Sequence, residues 1–318
     1  MRNIRMLCFL ILTGVLLLGT AIGVQAKSPE SEDPIKISTH DWTSQRISSR
    51  IMGSVLQKMG YNVEYVIADY LAQFSGLESG DLHLAMEIWE TTGRDALLKS
   101  LATGDTEDMG ETGMHAKEDW WYPSYVKEIC PGLPDWKALN ACAEKFSTPE
   151  TAPKGRYLGG AATWGGHDEE RIEALGLNFE VIHAGTAAAL SAEIKAAYER
   201  KEPIVAWVWS PNWVPYKYKG EWVEFPQYTD NCYSDPKWGS NPDMKYDCGK
   251  PEGWIKKVAW SGLKTKWPGA HQAIGNFRIS NDEMGALISE VDLEDRKIVD
   301  VVSQWMKDNA ATWKKWIQ

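Results

Sequence analysis

The pattern up to residue 89 alternates short apolar strands with segments whose apolar residues recur at helical spacing. Strands are predicted at 35–39, 62–67 and 82–89, and helices at 46–58 and 70–79. Gly60 follows the first helix as its C-terminal stop. This strand–helix alternation predicts a mainly parallel sheet covered by helices.

A second set of strands and helices begins near residue 156. Strands are predicted at 156–160, 179–183 and 204–209, with helices at 168–175 and 187–200. The last of these strands is almost continuously apolar, which indicates burial on both faces. Residues 226–253 are rich in Pro, Gly, Asn and Asp and predict an irregular loop, followed by helices at 282–289 and 293–316. Two such sets in a chain of this length predict two lobes.

Four tryptophans fall at or just beyond the carboxyl ends of predicted strands, namely Trp42, Trp89, Trp164 and Trp209. In open α/β sheets this edge is where ligands bind. Because two of the four come from each set, the pattern predicts a ligand held in a cleft between two lobes. Trp207 is expected to face the opposite side of its strand from Trp209 and to belong to the core.

The amino-acid composition indicates which class of ligand these four tryptophans would bind. The chain has 17 Trp but only 6 Phe, so the aromatic excess is specific to indole. Indole is the best aromatic face for a cation, and cages of such rings bind quaternary ammonium groups. The formal net charge of −10 argues against nucleic-acid partners, which require basic patches.

The N-terminus and the cysteines indicate export. Residues 1–26 carry Arg2 and Arg5, then a long apolar run, and end in Ala26, which predicts a cleaved signal peptide and a periplasmic protein. An uncleaved membrane anchor is the alternative. The remaining cysteines are even in number and predict two disulfides, Cys130–Cys142 and Cys232–Cys248, rather than a zinc site.

A glycine turn precedes the helix predicted at 168–175. Gly165 and Gly166 follow Trp164 directly and would let backbone N–H groups approach an anion at the helix N-terminus. An ordinary turn with Asp168 as N-cap is the alternative, and the two interpretations are compatible.

Other acidic residues raise two alternatives. Glu87 and Glu90 flank Trp89, and with Glu111 they are candidate ligand contacts that would suit a hydroxyl or cationic ligand better than an anion. Alternatively, two of these carboxylates could form a pair for glycoside hydrolysis in an aromatic cleft. We expect no enzyme, because recognised catalytic motifs are missing from the sequence. We expect no cofactor either, except that the loop residues Asp235, Asn241, Asp243 and Asp247 are weak candidates for a structural calcium site. Such loops are usually turns.

The mature sequence resembles the periplasmic substrate-binding proteins of the glycine betaine, choline and proline betaine class, the ProX/OpuAC type that serves ABC importers. The resemblance rests on four segments: His40-Asp41-Trp42-Thr43, Leu77-Glu78-Ser79-Gly80-Asp81-Leu82 leading to Glu87-Ile88-Trp89, Thr163-Trp164-Gly165-Gly166, and Trp209-Ser210-Pro211-Asn212-Trp213. It implies that Trp89, Trp164 and Trp209 box a trimethylammonium head. Trp42 would complete the cage, and Gly165 and Gly166 would receive a betaine carboxylate.

The resemblance also implies the architecture and the partners. It implies a two-lobed, type II-like binding-protein fold, with residues 27–118 plus 225–318 in lobe one and 119–224 in lobe two. It implies a monomer that docks onto permease subunits; a ligand-presenting sensor is the alternative. Gly93 stands where some betaine binders have a carboxylate-holding His. Glycine betaine, choline, trimethylamine N-oxide and dimethylsulfoniopropionate therefore all remain candidate ligands.

Overall fold

The computed structural model describes residues 29–318, and the predicted signal peptide lies outside the described residues. These residues form nine strands: β1 (Ile35–Thr39), β2 (Val63–Ile67), β3 (Leu84–Trp89), β4 (Thr106–Pro123), β5 (Gly155–Gly159), β6 (Phe179–His183), β7 (Val205–Ser210), β8 (Gly220–Trp222) and β9 (Gly253–Trp260). The strands predicted at 35–39 and 179–183 have the observed bounds, whereas β4, β8 and β9 were not predicted.

Helices cover the strands on both sides. They are α1 (Thr43–Lys58), α2 (Gln73–Ser79), α3 (Glu90–Thr103), α4 (Trp136–Ala141), α5 (Asp168–Leu175), α6 (Ala187–Arg200), α7 (Val214–Lys217), α8 (Asp230–Ser234), α9 (Leu263–Lys266), α10 (Pro268–Asn276), α11 (Asn281–Asp292), α12 (Ile298–Asp308) and α13 (Ala310–Trp313). Within residues 29–318, no helix combines the length and the apolar character that a bilayer crossing requires.

The strands follow the order β2-β1-β3-β9-β4-β7-β5-β6, with β8 also paired to β4. The first sheet contains parallel β2, β1 and β3, and the second contains parallel β7, β5 and β6. The 18-residue strand β4 belongs to both, because its first part pairs with β9 and its last part pairs with β7 and β8, all antiparallel. The predicted α/β class with two lobes is confirmed, and the sheet is mixed.

Packing explains why these segments form strands. Every residue of β3 is buried, as expected of a strand covered on both faces. In β4 the buried positions alternate from Thr112 through Met114, Ala116 and Glu118 to Trp120, so one face of that strand points inward. Trp120 and Trp121 are almost completely buried and belong to the core.

The single helix predicted over residues 293–316 is wrong. The chain forms α12 and α13 instead, preceded by Asp295 in the left-handed region (φ 54°). The Asn309 side chain separates the two helices, because its Nδ2 donates to the Trp305 carbonyl at 3.2 Å. Local side-chain bonding of this kind competes with helix propagation.

The loop between β8 and β9 packs against strand β4 and the start of α5. The backbone N–H of Lys250 donates to Asp119 at 3.0 Å, and the ring of Tyr246 stacks on His167 with centroids 4.2 Å apart. The lobe boundaries at 118/119 and 224/225 stay a prediction. The two predicted disulfides, Cys130–Cys142 and Cys232–Cys248, are confirmed, with Cα–Cα distances of 5.8 and 6.4 Å.

Candidate functional site

The four predicted tryptophans converge on one cavity between the two sheets. Trp42 precedes α1, Trp89 ends β3, Trp164 lies in the turn after β5, and Trp209 lies near the end of β7. Ring centroids are 5.9 Å apart for Trp42 and Trp164 and 5.7 Å apart for Trp164 and Trp209, with the planes near perpendicular. The cavity has an empty volume of about 290 Å³, including its opening.

Three polar residues complete the wall of this cavity: Tyr70, Thr92 and Glu118. None of the seven described lining residues carries a positive charge. The site is therefore an aromatic box with one acidic group in its wall.

Glu87 lies behind the box and fixes two of its walls. This fully buried carboxyl accepts the indole N–H of Trp42 at 3.0 Å and that of Trp89 at 3.3 Å. Ser44 and Ser48 donate to it at 2.9 and 2.8 Å. Burial raises the pKa of Glu87, and these four donors oppose that effect. Glu87 acts on a ligand through the indoles, since it does not line the cavity.

Two further contacts hold the first-sheet side of the box. The His40 ring stacks on Trp42 at 4.6 Å, and its Nδ1 lies 2.7 Å from the Ala68 carbonyl oxygen. Burial lowers the pKa of His40, so the imidazole behind Trp42 is neutral. The Tyr70 hydroxyl accepts the backbone N–H of Trp89 at 2.8 Å.

Packing against β5 and β7 positions the ring of Trp164. A side chain at Gly160 would overlap this ring, so glycine is required where β5 ends. Trp207 packs on the other side of Trp164 with centroids 5.9 Å apart. The prediction that Trp207 faces the opposite side of its strand from Trp209 is wrong, because side chains two residues apart share one face of a strand. Its assignment to the core is confirmed by its 2% exposure.

A buried ion network supports the same turn from behind. The Lys250 ammonium lies 4.3 Å from the Trp207 ring centroid and 3.4 Å from Asp168 Oδ1, and it donates to the Gly166 carbonyl. Arg171 pairs with Asp119 at 2.6 Å and approaches Asp168 at 3.8 Å. The positive charges of Lys250 and Arg171 are therefore balanced by the negative charges of Asp119 and Asp168.

Glu118 is the acidic residue of the cavity wall. It pairs with Trp209 across the β4–β7 ladder, so both side chains project from the same face of the sheet. The Thr91 hydroxyl donates to its carboxyl. Burial raises the pKa of Glu118 to about 7, opposed by the hydrogen bond from Thr91 and the nearby charge of Lys250. A substantial fraction of this group is protonated near neutral pH.

Other predicted site residues lie outside the cavity wall. Gly165 takes a left-handed conformation (φ 77°) and packs near Leu71, while Gly166 packs against Trp207. Glu90 accepts the backbone N–H of Trp254 at 3.1 Å. Glu111 is exposed on β4 beside β9. Glu87, Glu90 and Glu111 thus have separate partners, and none of them lines the cavity.

The calcium candidates bond within their own loop. Asp235 accepts the N–H of Lys237 at 3.0 Å, Asn241 accepts that of Asp243 at 3.2 Å, and Asp247 lies 3.4 Å from the Asn241 nitrogen. In the described part of the chain, no group of three or more His, Cys, Asp or Glu side chains is arranged to hold a metal ion. Calcium binding stays a prediction.

The turn before α5 differs from the alternative with Asp168 as N-cap. The N-cap of α5 is His167, and Asp168 is the first helical residue.

Sequence reasoning missed Tyr70, Thr92 and Glu118. A signal for Glu118 existed, because it is an acidic residue at an inward position of an alternating strand. Tyr70 and Thr92 carry no comparable signal, since they line the cavity only after α2 and α3 have packed together.

Two α/β lobes with an aromatic cavity between them define a solute-binding protein of the two-lobed class. The family described as the substrate binding domain of ABC-type glycine betaine transport systems matches residues 33–308. The chain belongs to this family, whose members serve transport and are not enzymes.

Relatives and solved structures agree with this assignment. The chain is 34% identical over 295 residues to the trimethylamine N-oxide-binding protein of Pelagibacter ubique (strain HTCC1062), covering 91% of this chain and 92% of the relative. It is similar in fold to the glycine betaine/L-proline-binding protein ProX from Borrelia burgdorferi (TM-score 0.72, 19% identity, 90% and 97% covered). A choline-binding protein in complex with choline gives a TM-score of 0.71 at 16% identity, with 91% and 93% covered.

Proposed function

We propose that this protein captures trimethylamine N-oxide in the cavity formed by Trp42, Trp89, Trp164 and Trp209 and delivers it to the permease of an ABC importer. The methyl groups of the ligand carry partial positive charge and would face the indole rings. Each such contact contributes roughly 0.5–2 kcal/mol. Three or four of them contribute roughly 1.5–8 kcal/mol. A micromolar Kd, about 8 kcal/mol after the costs of association, therefore also needs the burial of the methyl groups and a polar contact.

Glu118 is the observation that carries this proposal. It is the acidic residue among the seven lining residues, its carboxyl accepts the Thr91 hydroxyl, and burial raises its pKa to about 7. The wall of the aromatic box therefore offers a carboxyl that can carry a proton near neutral pH. An N-oxide oxygen is a strong acceptor and has no proton of its own at neutral pH, so it needs such a donor. The N-oxide of the ligand would accept the O–H of Glu118 while its methyl groups occupy the box.

The charge of the site argues against a betaine. Among residues 29–318, the residues lining the cavity include no Lys, Arg or His that could neutralise a ligand carboxylate. With a pKa of about 7, Glu118 is partly ionised near neutral pH, and its ionised form would repel a betaine carboxylate placed beside it. Gly165 and Gly166 lie outside the wall. The 34% identity to a trimethylamine N-oxide-binding protein supports the same ligand.

We further propose that the protein acts in the periplasm as a monomer and that the lobes close over the ligand. A hydrogen bond between the lobes supports closure, because the Asp41 carboxylate accepts the N–H of Ala187 at the start of α6 at 2.8 Å. The closed form would then be the form that the permease recognises.

Calorimetry of the purified protein tests the proposal. We expect micromolar binding of trimethylamine N-oxide and weaker binding of choline, glycine betaine and dimethylsulfoniopropionate, with glucose and glycine as negative controls. Choline binding that strengthens as pH rises through 7 would instead indicate that ionised Glu118 accepts a ligand hydroxyl. Absence of binding to every methylated onium compound would refute the proposal.

A further inference from the structure

The three polar residues of the cavity wall, Tyr70, Thr92 and Glu118, lie near one another. Thr92 lies close to both the Tyr70 hydroxyl and the Glu118 carboxyl and lowers the pKa of each. The indoles occupy the rest of the wall. The wall therefore combines indole faces for methyl groups with a polar part formed by Tyr70, Thr92 and Glu118, which we call the polar end and which would face whatever the ligand carries beyond its nitrogen.

Tyr70 closes the polar end and is held firmly there. It is only 3% exposed, and its hydroxyl accepts the Trp89 backbone N–H at 2.8 Å. Its ring meets Trp42 edge-on, with centroids 5.5 Å apart and planes at 79°. Bonds at the hydroxyl and packing at the ring leave Tyr70 little freedom to move aside for a larger ligand.

Gly93 provides the space that the Tyr70 hydroxyl fills. A methyl group at position 93 would overlap that hydroxyl and would lie 3.1 Å from Tyr70 Cζ and 3.0 Å from Ile88 Cγ2. Gly93 has an ordinary backbone conformation, because it is not among the residues with positive φ. The missing side chain therefore serves the close approach of Tyr70.

We propose that Tyr70, seated over Gly93, is a specificity-determining residue that limits the polar arm of the ligand to a single heavy atom. The inference rests on the proposed function and adds the reason for selectivity. An N-oxide extends one oxygen beyond nitrogen and fits between the box and Tyr70. The hydroxyethyl arm of choline and the carboxymethyl arm of glycine betaine extend further and would need the space that Tyr70 occupies.

Four variants test this inference by calorimetry with trimethylamine N-oxide, choline and glycine betaine. Tyr70→Ala opens the polar end, and we expect the affinity for choline relative to trimethylamine N-oxide to rise at least about tenfold. Tyr70→Phe removes only the hydroxyl, and we expect a rise of about two- to threefold. Gly93→Ala should weaken trimethylamine N-oxide binding, and adding Tyr70→Phe to it should restore part of the loss.

The chain offers a matched control in Gly53 and Tyr65. A methyl group at Gly53 would overlap the Tyr65 hydroxyl, as at Gly93, but this pair lies on α1 and β2 outside the cavity wall. Tyr65→Phe, Gly53→Ala and the double variant should change stability without changing ligand selectivity. Circular dichroism identifies any variant that does not fold.

The outcomes separate this inference from the proposed function. The role of Tyr70 is overturned if the affinity for choline relative to trimethylamine N-oxide is the same in wild type and in folded Tyr70→Phe and Tyr70→Ala, and if Tyr70→Phe does not rescue Gly93→Ala. This holds even if the wild type binds trimethylamine N-oxide. If Tyr70→Ala does not fold, Tyr70→Phe and the Gly93 pair decide the question. Wild-type protein that binds choline as tightly as trimethylamine N-oxide also overturns the inference, and wild-type protein that binds no onium compound refutes the proposed function.

Discussion

The Glu87 carboxyl accepts the indole N–H of Trp42 at 3.0 Å, although the two residues are 45 positions apart in the chain. The same carboxyl oxygen accepts the indole N–H of Trp89. Two walls of the aromatic box therefore share one buried acceptor, and their spacing depends on it.

Replacing Glu87 with Gln should weaken both the box and the fold. The amide keeps one acceptor oxygen, and its NH₂ group would face donors that lose their partner, which costs about 1–3 kcal/mol in stability. We expect ligand affinity to fall at least about tenfold as the indoles lose their alignment. Calorimetry and urea unfolding measure the two effects. Glu90→Gln is the control, and an equal loss of affinity there would contradict the role of Glu87.

Trp164 contacts both Trp42 and Trp209, so its removal opens the box at its centre. Trp164→Ala should lower ligand affinity by about 10- to 30-fold, the equivalent of the stronger cation–π contacts. Trp254→Ala removes a half-buried indole of β9 that lies outside the cavity wall and should leave affinity unchanged. Equal affinities of wild type and Trp164→Ala in a calorimetric titration would show that the ligand binds elsewhere.

Glu118 predicts how affinity depends on pH. If its proton bonds the N-oxide, affinity for trimethylamine N-oxide should be constant below pH 7 and fall about tenfold per pH unit above it. Glu118→Gln keeps an N–H donor and removes the titrating group, so its affinity should not vary with pH between 6 and about 9. Titrations across this range check both profiles, and identical slopes in the two proteins would exclude Glu118 as the donor.

The same group makes stability depend on pH in the ligand-free protein. Its folded pKa of about 7 lies above the ordinary value of 4.5, so the folded state retains a proton that the unfolded state has lost. This stabilisation is fully present below about pH 4.5 and is lost as the pH rises through about 7. The free energy of unfolding should fall by on the order of 3 kcal/mol over this range. Urea unfolding of wild type and Glu118→Gln at several pH values isolates the contribution. A constant difference between them would contradict the raised pKa.

Asp41 predicts a small effect on lobe closure. Its carboxylate accepts the first N–H of α6 across the cleft, but the residue is exposed, and such contacts contribute about 0.3–1 kcal/mol. Asp41→Ala should therefore weaken ligand binding about two- to fivefold and favour the open form. Small-angle scattering with and without ligand measures the populations. Asp69→Ala changes a nearby exposed charge and should have no such effect.

Sequence patterns were sufficient for the parts of this protein that repeat a simple rule. The apolar alternation of 35–39 and 179–183 gave strands with the observed bounds, and the position of Trp42, Trp89, Trp164 and Trp209 at strand ends gave the cavity. The tryptophan positions were predictive because the carboxyl ends of parallel strands meet at one edge of a sheet.

The remaining parts depend on contacts between distant segments. Glu87 was selected as a ligand contact, whereas the structure places it behind two indoles, and only packing distinguishes these positions. Strand β4 was not predicted because its polar residues interrupt the apolar pattern, so Glu118 was missed with it. Tyr70, in the turn before α2, acquires its role from Gly93 on α3.

Strand β4 passes from the first sheet to the second between Ala116, paired with Gly253, and Lys117, paired with Ser210. Glu118 follows this crossing directly and is bonded to Thr91 of α3 on the first-sheet side. Any rotation of the lobes about β4 therefore alters the surroundings of the titrating group. Protonation of Glu118 and binding of the solute would then both shift the equilibrium between the open and closed lobes. The pH at the membrane surface would therefore influence how readily the solute is released.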